Sequence, residues 1–121
     1  MHTVALWDTG ASRTHISNDV VNLFELESIG TVNANSHHGV VKTKYYRVSI
    51  TLPTGGIIND IIVNSTHNFK VNDNDIGVLI GMDIIQCGNF HIDSLGEKTI
   101  FTFTHPLDNI DEDTLIETEL F

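Results

Sequence analysis

The chain is predicted to fold mainly as β-structure with one or two short helices, and three observations carry that expectation. Tyr46, Val48, Ile50 and Leu52 alternate with Tyr45, Arg47, Ser49 and Thr51, the period of two expected where one face of a strand is buried. The apolar runs at residues 4–7 and 78–80 are short and end at turn-forming residues, whereas a helix needs about ten residues of apolar periodicity. Ser36-His37-His38-Gly39 and Thr54-Gly55-Gly56 interrupt the pattern with small, polar residues suited to hairpin turns.

Taken in order, residues 4–7 read as a buried strand that delivers Asp8 to a tight turn, where Gly10 lets the backbone reverse with no Cβ in the way. Ser17 is an N-cap for a short helix over residues 18–24, with Asp19 in its first turn. Residues 31–35 and 40–52 form two strands of a hairpin with its tip at Ser36 to Gly39, and the second strand is long enough to project from the core. The chain then turns back at Thr54-Gly55-Gly56 into a strand over residues 57–63. Residues 82–87 make one or two helical turns closed by Gly88 at C′, and Cys87 within them is expected to be a small core residue.

At 121 residues the chain is one domain, expected over residues 1–105, followed by an acidic tail over residues 106–121. Asp108, Asp111, Glu112, Asp113, Glu117 and Glu119 crowd that tail without a Lys or Arg. It reads either as a disordered extension or as an exposed helix built on Ile110, Leu115, Ile116 and Leu120. Sixteen acidic against six basic residues give a net charge of −10, which argues against a nucleic-acid partner. No apolar run is long enough for a bilayer, and Met1-His2-Thr3 does not open a signal peptide. The single cysteine cannot form an internal disulfide, which fits a cytoplasmic location.

Asp-Thr-Gly alone is most often just a turn. Here Asp8-Thr9-Gly10-Ala11-Ser12 closes one apolar strand, and about 70 residues further on Val78-Leu79-Ile80-Gly81-Met82-Asp83 closes another at a glycine. With Gly88-Asn89-Phe90-His91-Ile92-Asp93 and Phe101-Thr102-Phe103, these elements resemble, in order and spacing, the retropepsin-like aspartic proteases, particularly their bacterial members, over residues 4–107.

That resemblance implies a retropepsin-like half-barrel with a flap hairpin, and one Asp-Thr-Gly per chain implies an active site completed by a second, identical chain. Asp8, Thr9 and Gly10 would form the catalytic turn, with Thr9 bonding across the dimer axis and Gly10 admitting substrate backbone. Ala11 and the flap tip, Ser36, His37, His38 and Gly39, would contact a polypeptide substrate. Two such carboxylates about 3 Å apart share one proton, as in the aspartic-protease dyad. Two-lobed relatives commonly carry a hydroxyl residue where this chain has Ala11, so the pair here is expected to keep its proton to higher pH and to work from mildly acidic to near-neutral pH. Family members usually have about two strands before the catalytic turn, whereas seven residues precede Asp8 here. Exposed edges are therefore expected, unless the segment after Phe103 fills the place.

Other chemistries fit less well. The seven histidines show no His-x₃-His or Cys-x₂-Cys spacing, so neither a metal nor another cofactor is expected, with His37-His38 the weak exception. Ser12 lacks a Gly-x-Ser-x-Gly elbow. Asp83, following Gly81 at a helix start, is expected to be structural and not a second catalytic carboxylate. The expectation is therefore an aspartic endopeptidase acting as a homodimer, and the alternative is a catalytically inactive module of the same fold that dimerises or binds peptides.

Overall fold

In a computed structural model, the described residues are 2–36, 39–53, 56–104 and 116–119. The hairpin tip His37-His38, the turn residues Thr54-Gly55, His105 and most of the acidic tail lie outside them.

The described residues are mainly β, with two short helices. One six-stranded sheet runs in the order β1 (Ala5–Trp7), β8 (Val78–Ile80), β2 (His15–Ser17), β5 (Ile57–Thr66), β4 (Gly39–Thr51), β3 (Gly30–Ser36). β8 is parallel to β1 and antiparallel to β2, so the segment joining β1 to β2 must pass over the C-terminal end of β8. A three-stranded sheet is formed by β9 (Asn89–Leu95), β10 (Lys98–Thr104) and β11 (Ile116–Glu119), with β10 central. A small hairpin pairs β6 (Phe69–Val71) with β7 (Asn74–Ile76), and its turn residues Asn72 and Asp73 both have positive φ, 49° and 64°. Those values suit a two-residue hairpin turn, which Asn and Asp tolerate better than other side chains.

The core forms where the two larger sheets meet. Trp7 on β1 lies edge-on to Phe101 with ring centroids 4.8 Å apart and packs on Phe103 at 4.9 Å, while Phe90 stacks on Phe101 at 5.2 Å. Ile16, Val63, Ile80, Ile84 and Ile85 complete it from the sheet and the second helix, α2 (Met82–Ile85). Along β4 the expected alternation holds, because Tyr46 is buried and Val48 and Ile50 are half-buried while Arg47, Ser49 and Thr51 face solvent. Ser17 caps α1 (Asn18–Leu23) by accepting the Val20 N–H, as its position implies.

Several expectations need correction. β1 is only half-buried and Val4 before it is 41% exposed, because β1 is an edge strand paired on one side. Cys87 is exposed, since α2 ends before it and turns its side chain out of the core, where its thiol donates to Asp83 O at 3.2 Å. Gly88 is not a left-handed C′ residue; its lack of a side chain instead lets the Phe103 ring and Thr104 carbonyl pack against its backbone. Of the tail, residues 116–119 form a strand and not a helix, and they pair with β10; among the described residues no strand pairs with the outer edge of β1.

Candidate active site

The loop from Asp8 to Thr14 is built by the crossing over β8. The Asp8 N–H donates to Ile80 O at 2.8 Å, extending the β1–β8 ladder by one residue before the chain turns away. The Ala11 N–H then donates to Asp8 O at 3.2 Å, closing a four-residue turn with Thr9 and Gly10 at its exposed corner. Within this turn the Gly10 N–H donates to Asp8 Oδ1 at 2.8 Å, which fixes the half-buried carboxylate over its own backbone. Asp8 Oδ2 and the Thr9 hydroxyl make no hydrogen bond among the described residues. The turn therefore presents one carboxylate oxygen and one hydroxyl, neither engaged among the described residues.

The support beneath it comes from the start of α2. The Met82 N–H donates to Ala11 O at 2.8 Å. A Cβ on Gly81 would lie 2.5 Å from Arg13 O and 2.9 Å from Ala11 O, so only glycine lets the loop lie this close to β8. Thr14 is fully buried and ties the two segments together. Its N–H donates to Asp83 Oδ2 at 2.9 Å, its hydroxyl donates to Asp83 Oδ1 at 2.7 Å, and that hydroxyl accepts the Gly81 N–H at 3.1 Å. Asp83 Oδ1 also accepts the Ile84 N–H at 2.9 Å. With both oxygens engaged this way, Asp83 acts as the brace expected of it and is not free for proton transfer. Thr14 is the residue that sequence reasoning missed; a buried threonine just before a strand carries no signal until Asp83, 69 positions away, is seen beside it.

The sequence-predicted site residues fall into two groups. Asp8, Thr9, Gly10 and Ala11 share the turn. Ser36 and Gly39 stand opposite each other where β3 and β4 meet, with Gly39 at φ 106°, while His37 and His38 between them lie outside the described residues. In the sheet, β1 and the hairpin are separated by β8, β2 and β5, so strand pairing does not bring these groups together.

A cavity of about 190 Å³ opens elsewhere, at the N-terminal end of β8, lined among others by Ser17, Asp19, Asn68 and Gly77. It does not coincide with Asp8, which lies at the opposite end of that strand. Among the described residues no group of three or more His, Cys, Asp or Glu side chains could hold a metal ion, and no helix is long and apolar enough to cross a membrane. No family model, no curated protein and no solved structure matches the chain.

Proposed function

We propose that the chain is an aspartic endopeptidase with a retropepsin-like half-barrel, whose active site forms when two copies bring their Asp8 turns together. The observation that carries this is the state of Asp8: half-buried at the end of an edge strand, with Oδ1 held by the Gly10 N–H and Oδ2 without a hydrogen bond among the described residues. This carboxylate braces nothing beyond its own turn, whereas Asp83 holds Thr14 and the start of α2. The exposed Thr9 hydroxyl is similarly available to a symmetry-related turn.

With two Asp8 carboxylates facing each other, like-charge repulsion leaves one proton shared between them. The ionised member takes a proton from a water held between the pair as that water attacks the peptide carbonyl carbon. The protonated member donates to the carbonyl oxygen, giving a tetrahedral gem-diol. Collapse breaks the C–N bond: the protonated member donates to the departing amine nitrogen while the ionised member takes a proton from a gem-diol hydroxyl, so that the carboxylic acid product forms and the pair is again singly protonated. Gly10, without a side chain, leaves room for substrate backbone at the turn, and the β3–β4 hairpin would serve as the flap that closes over it. No cofactor or metal enters this chemistry.

Asp8→Asn tests the proposal. Asn retains an oxygen for the Gly10 N–H and so should fold as the wild type does, but it cannot share a proton. Wild-type protein should show pepstatin-sensitive cleavage of a peptide library, and the variant none. Cleavage at the wild-type rate by Asp8→Asn, with contaminating protease excluded, removes the mechanism.

A further inference from the structure

The hairpin carries a charge pattern opposite to that of the chain around it. Residues 28–59 contain no Asp or Glu in a protein with sixteen of them, yet Lys42, Lys44 and Arg47, three of its six cationic residues, fall in this stretch. Arg47 is matched by Asp60 at 3.6 Å. Lys42 and Lys44 are exposed and have no acidic partner among the described residues. Their cross-strand neighbours are Asn33 and Thr31, which are exposed and uncharged.

The two lysines also share a face. Side chains two apart on a strand point the same way, so Lys42 and Lys44 continue outward the side of β4 on which Tyr46 is buried and Val48 and Ile50 pack against the core. Where the hairpin projects beyond the core, that side has no underlying layer, and it is lined by Thr31, Asn33, Val40, Lys42 and Lys44. A flap that closes does so with its core-facing side toward whatever it covers.

We infer that the Lys42–Lys44 face of the hairpin selects polypeptide segments rich in Asp and Glu. The inference rests on the proposed protease reading for the hairpin's role as a flap, and it names the class of substrate. The net charge of −10 does not defeat it, because salt screens charges beyond about 8 Å at physiological ionic strength and the nearest sequence neighbours of the lysines carry no acid. The same net charge disfavours a nucleic acid, a long polyanion that extends beyond the strip, more than it does a short acidic segment.

The test reads binding without catalysis. Full-length Asp8→Asn protein is titrated against fluorescent peptides in which Glu and Asp are present or replaced by Gln and Asn, and against a single-stranded DNA oligonucleotide of equal charge. Acidic peptides should bind about tenfold more tightly at low salt, with the difference shrinking severalfold at high salt. Adding Lys42→Ser and Lys44→Ser should reduce the preference to within about twofold, and Lys42→Glu with Lys44→Glu should invert it toward Lys-containing peptides, circular dichroism confirming the fold in each case. Equal binding of acidic and amide peptides, binding of none, retention of the preference in the Ser variant, or equally tight binding of the oligonucleotide each overturns the inference. Because catalysis is not needed, a charge preference in a protein that cleaves nothing would sink the protease reading alone. Cleavage indifferent to substrate charge, without a binding preference, would sink the selection alone.

Discussion

Two carboxylates near one turn have opposite fates because of what surrounds each oxygen. Among the described residues Asp83 accepts three hydrogen bonds with both oxygens used, whereas Asp8 accepts one, from Gly10, on a single oxygen. The brace should be visible in stability. Thr14→Val keeps the shape but removes the hydroxyl at a fully buried site, leaving the Gly81 N–H without its acceptor and Asp83 Oδ1 with the Ile84 N–H alone. A loss of about 2 kcal/mol is expected from breaking a buried hydrogen bond to a charged group. It would be read as a lower urea midpoint with unchanged slope. A change within about 0.5 kcal/mol, the usual range for surface substitutions, would show that Asp83 is held without Thr14. Ala11→Ser addresses the proposed pair instead. A hydroxyl there can donate to the charged form and favour ionisation, so the upper limb of the kcat/KM profile should move to lower pH, with dimer content checked at each pH. An upper limb that stays in place or moves up would assign control of the shared proton to another neighbour.

At the scale of elements, the β3–β4 hairpin differs from the rest of the sheet. β5 supports β4 on one side from Tyr45 to Thr51, but the segment of β4 before Tyr45 pairs with β3 alone. Such a two-stranded ribbon has little apolar burial and belongs to the part of a structure that opens most readily. In the proposed enzyme, amide exchange across residues 31–45 should be fast in the free protein and markedly slower with a peptide-like inhibitor bound, while β8 and α2 change little. Unchanged exchange in the hairpin at saturating inhibitor would reduce it to a surface element. Some elements were legible from pattern alone. β4 was, because its alternation is set by burial on one face, and α1 was, because Ser17 supplies its cap locally. The β6–β7 hairpin was not singled out, although Asn72-Asp73 is a recognisable two-residue turn, because three-residue strands are too short to show a period.

For the proposed enzyme as a whole, the decisive property is that the Asp8 turn, at the end of an edge strand, presents a carboxylate oxygen with no hydrogen bond among the described residues. A site built from two copies exists only as far as they associate, so specific activity should rise with protein concentration and level off as association saturates. Concentration-independent activity from a species that sediments as a monomer would rule out the shared site.

Taken by itself, the sequence determined the mainly β class, the β3–β4 hairpin, the Ser17 cap, and the position of Asp8 at the end of an apolar strand, because each depends on residues within a few positions of one another. The tertiary structure alone decided that Thr14 is the partner Asp83 braces, that Cys87 faces solvent, that Gly88 makes room for the Phe103 ring, and that residues 116–119 add a strand to β10. The physical reason is separation along the chain: the bond from Thr14 to Asp83 spans 69 positions and exists only because β8 lies between β1 and β2. Local pattern places Asp8 at a strand end and ties it to Gly10; long-range packing supplies the partners of Asp83.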